Sequence, residues 1–194
     1  MGILTVEQIV SADGFAAGAD GGLGFTEVVP FGDESDADSP QLRWLGTVDA
    51  ILLGRSTYEL FASYWPTADP AVDATAGPMA ALPKHVVSRT LEHAPWGAGQ
   101  AEVLRGGAVA AATAMRERYA STVVWGSLRL SEALLGAGLV DELRLRIVPV
   151  LLGAGRTFVP PNLGARALRL EDVERYDTGH LTVTYRVAQG GDAR

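Results

Sequence analysis

The sequence predicts a three-layer α/β protein: one mixed, mostly parallel sheet, helices on both of its faces, and an antiparallel hairpin at the C-terminal end. Two patterns carry this. Short apolar runs at 50–53, 86–87 and 123–125 end abruptly in Gly, Ser, Thr or Arg, as strands buried on both faces do where they leave a parallel sheet. After residue 135 the helical patterns give way to period-two alternation at 167–175 and 181–187, joined by Asp177-Thr178-Gly179 as a hairpin turn. With 194 residues, 47% of them hydrophobic, the chain is long enough for one domain with a substantial core.

The elements follow in order. Residues 3–11 read as the first strand. Residues 12–36, rich in Gly and Asp, read as a long loop, and such loops in a compact domain are usually functional or disordered. A short helix spans 38–46, with Ser39 before Pro40 as cap and first-turn pair. Strand 50–54 feeds a helix over about 56–63. Pro66, Pro70, Pro78 and Pro83 make 66–83 irregular, with room for one short helix. Strands at 84–88 and 101–104 come next. Gly106-Gly107 opens an Ala-rich helix through Tyr119. Strand 122–125 runs to Gly126, a helix covers 128–135, and Gly136 and Gly138 stop it. Residues 141–151 alternate and then run apolar, and the run 143–152 reads as an edge that needs cover. Residues 189–194 read as a frayed tail. No repeat or linker divides the chain, so 1–194 is expected to be a single domain.

Sixteen basic against twenty-three acidic residues leave a net charge of −7, which argues against non-specific nucleic-acid binding. The first 54 residues hold nine acids and one base, Arg43; fifteen of the sixteen bases lie later, and all but Lys84 are Arg. There is no cysteine, and His85, His93 and His180 stand well apart, so no metal site is expected. No signal-peptide pattern and no long apolar run occurs, and the expectation is a soluble, cytoplasmic protein with no membrane contact.

Three strand ends are suited to anions. Gly54-Arg55-Ser56-Thr57 combines a glycine, a guanidinium and two hydroxyls at a helix N-terminus; the hydroxyls also read as helix caps. Ser88-Arg89-Thr90 offers a second cation in a polar turn. Gly126-Ser127-Leu128 opens a helix whose dipole favours negative charge. Together they suggest one ligand with several phosphates. No Gly-x-Gly-x-x-Gly fingerprint is present, which disfavours a Rossmann fold.

Ser11-Ala12-Asp13-Gly14, the run from Asp49 to Glu59, the run from Lys84 to Leu91, Val124-Trp125-Gly126-Ser127, and Gly138-Leu139-Val140-Asp141-Glu142-Leu143 with Pro149-Val150-Leu151-Leu152-Gly153-Ala154-Gly155 occur in one order. In these blocks the chain resembles the dihydrofolate-reductase-like proteins, specifically the reductase domain of the riboflavin-biosynthesis deaminase/reductase (RibD) family in stand-alone form, over roughly 3–187. The resemblance implies NADPH bound across the carboxyl ends of the strands, with Gly54, Arg55, Ser56, Thr57, Ser88, Arg89, Thr90, Gly126, Ser127 and Leu128 as its contacts and Arg89 at the 2′-phosphate. It places Asp13 beside the nicotinamide as a candidate catalytic acid, though Asp-Gly is also a common turn dipeptide. Ser11, Asp13 and Asp38 are the candidate substrate contacts; Asp33, Glu34, Asp36 and Asp38 also read as a solvated charge run.

Trp44, Tyr58, Tyr64 and Trp65 read either as core or as walls for a flat ring. Asp141-Glu142 reads as a helix-to-strand junction or a dimer contact, and Gly153-Ala154-Gly155 as a flexible corner. The implied activity is NADPH-dependent reduction of a small heteroaromatic or carbonyl substrate, pteridine- or ribosylaminopyrimidine-like, by direct hydride transfer. A non-catalytic NADPH-binding or regulatory protein is the alternative. No zinc-deaminase motif is present. Relatives pair through the 143–152 side of the sheet, implying a homodimer.

Overall fold

The computed structural model describes residues 1–30 and 39–188. In chain order the regular elements begin with β1 (Ile3–Ser11), α1 (Pro40–Leu45), β2 (Ala50–Gly54), α2 (Arg55–Tyr64), α3 (Ala76–Ala81) and β3 (Lys84–Val87). A two-residue hairpin, β4 (Pro95–Trp96) and β5 (Gly99–Gln100), precedes β6 (Glu102–Leu104) and α4 (Gly107–Arg118). Then come β7 (Ser121–Trp125), α5 (Leu128–Gly136), β8 (Glu142–Val148), β9 (Leu168–Arg175) and β10 (Leu181–Val187).

The main sheet has eight strands in the order β6-β3-β2-β7-β1-β8-β10-β9. β10 runs antiparallel to both β8 and β9, and the pairings from β6 to β8 are parallel. The C-terminal ends of β1, β2, β3, β7 and β8 therefore open on one edge. In open parallel sheets that edge is where ligands sit.

Side chains alternate between two cores, one on each face. β1 sends Leu4, Val6 and Val10 to one side, where Ala111, Ala112 and Met115 of α4 and Leu130 and Leu134 of α5 cover them. β2 and β7 send Ile51, Leu53, Val123 and Trp125 to the other, against Leu45 of α1, Tyr58 of α2 and Met79 of α3. Helix layers on both faces complete the three-layer arrangement. Ser39 caps α1, its Oγ accepting from the Leu42 N–H at 3.3 Å. Asp33, Glu34, Asp36, Asp38 and the 189–194 tail lie outside the described residues.

The edge expected at 143–152 belongs instead to a central strand. β8 pairs with β1 from Thr5–Glu142 to Ser11–Val148 and with β10 on its other side. An apolar alternating run marks burial but does not say how many neighbours a strand has. The edge on that side is β9, where Leu168, Leu170 and Val173 are exposed. The β4–β5 hairpin was too short to leave a periodic signal; Gly97, at φ +57°, makes its turn. Asp141-Glu142 does fix a junction. Asp141 accepts from the Leu4 N–H at 2.8 Å and pairs with Arg116 at 2.7 Å, and Glu142 pairs with Arg186 at 2.9 Å. No helix among the described residues is long and apolar enough to cross a membrane.

Candidate active site

A cleft of about 1070 Å³ runs along the C-terminal edge of the sheet. Gly54, Arg55, Ser56, Thr57, Ser88, Arg89, Thr90, Gly126, Ser127 and Leu128 all line it, so three separate stretches of sequence meet on one wall. The parallel neighbours β3, β2 and β7 bring them together.

The wall turns sharply after β7. Gly126 and Ser127 have φ of +56° and +58°, and Ser127 is the one non-glycine residue with positive φ among the described residues. That conformation costs a serine about 1 kcal/mol or more. Hydrogen bonds over-determine it. The Ser127 N–H donates to Thr57 Oγ1 at 3.0 Å, the Gly54 N–H donates to Ser127 Oγ at 2.9 Å, and Ser127 Oγ donates to the Trp125 carbonyl at 3.0 Å. The Gly126 carbonyl accepts from Ser131 Oγ at 3.0 Å and from Gln8 Nε2.

Ser56 and Thr57 are not the helix caps that their position suggested. Gly54 is the N-cap of α2, no side chain caps it, and the Thr57 hydroxyl is drawn across to Ser127. α5 likewise starts from Ser127 with no side-chain cap. Two uncapped helix N-termini therefore open at the same wall, with first-turn N–H groups available to an anion.

Charge follows the same plan. Arg55, Arg89, Arg129, Arg146 and Arg156 line the cleft, and Asp73 is the single carboxylate among the described lining residues. Arg55 is held by Glu59 at 2.7 Å and donates to Thr90 Oγ1 at 2.9 Å. Arg89, Arg129 and Arg156 form no ion pair among the described residues. A cluster of cations on a protein of net charge −7 is strongly biased toward an anionic ligand.

Behind the lining residue Gln41, at the other end of the cleft, lies a buried ionic network. Arg144 of β8 bonds Glu7 of β1 at 2.6 Å and Glu174 of β9 at 3.1 Å, and also donates to Gln41 Oε1. Gln41 Nε2 donates to Glu7 at 3.2 Å, and the Trp44 ring lies 4.3 Å from the Arg144 guanidinium. Glu7 and Arg144 are 0% and 1% exposed. Gln8, Gln41 and Arg146 reach the cleft lining from this side.

Ser11 and Asp13 are not brought to that lining. The Ser11 hydroxyl is buried and donates to Asp13 Oδ1 at 2.6 Å. The Asp13 carboxylate accepts from the N–H groups of Gly153 at 2.7 Å and Leu152 at 3.1 Å. The Ser11 hydroxyl, then the Gly153 and Leu152 N–H groups, hold its carboxyl below the ordinary carboxylate range. Asp13 thus staples the loop after β8 to the end of β1, and the Gly153-Ala154-Gly155 corner is fixed rather than loose. The staple continues in the Ala17–Arg156 bridge. The Arg156 guanidinium lies against Gly21, where a Cβ would come within 2.9 Å of it.

Of the four aromatics, Tyr64 and Trp65 line the cleft with Phe61, Trp44 covers Arg144, and Tyr58 is core, its hydroxyl donating to the Pro95 carbonyl at 2.7 Å. The sequence reading overlooked Gln8, Gln41, Arg146 and Arg156. For Arg146 a signal existed: charged residues at alternate positions of an apolar strand, Leu143-Arg144-Leu145-Arg146-Ile147, mark a strand with one polar buried face.

The model of the RibD C-terminal domain matches residues 3–182. YyaP of Bacillus subtilis (strain 168), an uncharacterized protein, is 24% identical over 185 residues, covering 94% of this chain and 93% of that protein. The crystal structure of a putative riboflavin biosynthesis protein from Shewanella sp. PV-4 superimposes with a TM-score of 0.76 at 20% identity, covering 96% of this chain and 99% of that one. Schistosoma mansoni dihydrofolate reductase gives 0.59 at 16% identity, covering 96% and 99%. The fold is dihydrofolate-reductase-like.

Proposed function

The chain belongs to the RibD C-terminal domain family, and from that premise we propose that it is an NADPH-dependent reductase of a small heterocyclic or carbonyl substrate. One observation carries the proposal: a single cleft gathers the three strand ends, two uncapped helix N-termini, and the guanidiniums of Arg89, Arg129 and Arg156, which form no ion pair among the described residues. The residues fit the cofactor's chemistry. A Cβ on Gly126 would project to 3.4 Å from the Thr57 side chain, into the space where backbone must stay bare for a pyrophosphate. NADPH, when bound, supplies a hydride from its nicotinamide C4.

The rest belongs to the protein. N–H groups at the starts of α2 and α5 bind the pyrophosphate, and Arg89 binds the 2′-phosphate. Phe61, Tyr64 and Trp65 provide apolar walls that keep water from the rings. Arg146 and Arg156 stand at the β1–β8 end with Gln8 and Gln41, a set suited to a polar substrate with its own anionic group. That favours a phosphoribosyl-type substrate over a plain pteridine. Asp13 does not serve as the acid, because its oxygens are held by the Ser11 hydroxyl and the 152–153 loop; the reduced product takes its proton from water. We also propose a homodimer, now through the β9 side of the sheet, where apolar side chains are exposed.

The test is NADPH oxidation followed at 340 nm with phosphoribosylaminopyrimidine and pteridine substrates, beside calorimetric titration with NADPH. Binding with turnover of the phosphorylated substrate is the expected result. Absence of NADPH binding refutes the proposal. Light scattering that gives the 20.4 kDa monomer alone refutes the dimer.

A further inference from the structure

We propose that Arg105, just after β6, is a positioning residue that fixes the 88–91 turn and through it sets the preference for NADPH over NADH. The inference rests on the cofactor reading above and adds a residue outside the cleft lining.

β3 and β6 run parallel in the register Val86–Val103 and Val87–Leu104, so the chain leaves both strands side by side. The Ser88 N–H donates to the Leu104 carbonyl at 3.1 Å, extending the pairing by one step. The next residue of that chain is Arg105. Its Nη1 donates to the Arg89 carbonyl at 3.2 Å and its Nη2 to the Leu91 carbonyl at 3.0 Å. Inside the turn, Ser88 Oγ accepts from the N–H groups of Thr90 at 3.3 Å and Leu91 at 3.1 Å. On the α2 side, Arg55 holds the Thr90 hydroxyl.

Each residue of the turn is therefore tied at its backbone or hydroxyl, while the Arg89 guanidinium is left without an ion pair among the described residues. A cation presented from an immobilised backbone loses less conformational freedom on meeting a phosphate. The planar guanidinium fork of Arg105 spans two carbonyls at once, which a lysine ammonium on a flexible stem does less well. The turn touches the 2′-phosphate in this reading, so loosening it weakens NADPH binding and spares NADH.

The experiment compares dissociation constants for NADPH and NADH in the wild type, R105A, R105K and R105Q, with a thermal melt of each. R105A should lower the NADPH/NADH selectivity by about three- to tenfold, the scale of one or two lost hydrogen bonds, with NADH affinity unchanged. R105Q, which keeps a donor without charge, should recover part of it. If R105A does not fold, R105K and R105Q carry the test. Wild-type selectivity in R105A overturns the inference, as does an equal fall for both cofactors. Full selectivity in R105K with none in R105Q also overturns it, because Arg105 would then act by charge on the phosphate itself. A wild type that binds neither dinucleotide brings down the cofactor reading and this inference together; a selective wild type with selective variants brings down this one alone.

Discussion

At the β2–β3–β7 end of the cleft the chain turns on glycines and hydroxyls, and Arg89 forms no ion pair among the described residues. Beneath the β1–β8 end lies a buried charge pair, Glu7–Arg144, in contact with Gln41 and Trp44. The first end is suited to a ligand's charge, since Arg89 lines it and no side chain caps the helix N-termini of α2 and α5. The second has neutralised its own charge inside, and it uses the resulting rigidity to hold α1 and the cleft-lining Gln41 in place. Loss of Arg89 at the first end should therefore appear in cofactor affinity, and loss of the Glu7–Arg144 pair beneath the second in stability.

The sharpest way to break that contrast is Arg144→Ala. Removing one partner of a buried pair leaves the Glu7 carboxylate uncompensated, and the expected cost is about 3–5 kcal/mol in urea unfolding. A loss below about 1 kcal/mol would mean that water already reaches the network. Next comes Arg89→Ala. NADPH affinity should fall about 10- to 100-fold, from the loss of a charge-assisted contact, while the melting temperature and NADH affinity hold. Equal affinities for the two cofactors in the wild type would remove the basis for placing Arg89 at the phosphate.

Thr57→Val tests whether the first end is also a strained structure. It strands the Ser127 N–H and should cost about 1 kcal/mol in stability, with a several-fold loss of NADPH affinity as the left-handed pair relaxes. Stability unchanged with affinity lost would separate the two effects. The smallest effect belongs to Asp13→Asn. Asp13 has a folded pKa below its unfolded value, so its contribution is present above the unfolded pKa and is lost as pH falls through the folded one. Acid titration of the variant should show a flatter loss of stability below about pH 4 than the wild type. Turnover near neutrality should change little, and a large fall there would restore Asp13 as a catalytic group.

The sequence by itself determined the layers, nearly all the strands and the residues that form the wall of the cleft at its β2–β3–β7 end. Those features are local: an apolar run of four residues, a glycine or a hydroxyl at its end, and a helical pattern after it all lie within one stretch of chain, at 50–57 as at 122–128. The tertiary structure alone decided the rest. β8 became a central strand because β10 folds back beside it, a pairing across more than thirty residues that an apolar run cannot announce. Asp13 became a staple because the 152–153 loop returns to it from across the molecule. Glu7, Gln41, Arg144 and Glu174 lie on four separate elements, and their sequence neighbourhoods give no sign that they share a site. Burial of charge is a property of the partners that close around it, and those partners exist only once the sheet has formed.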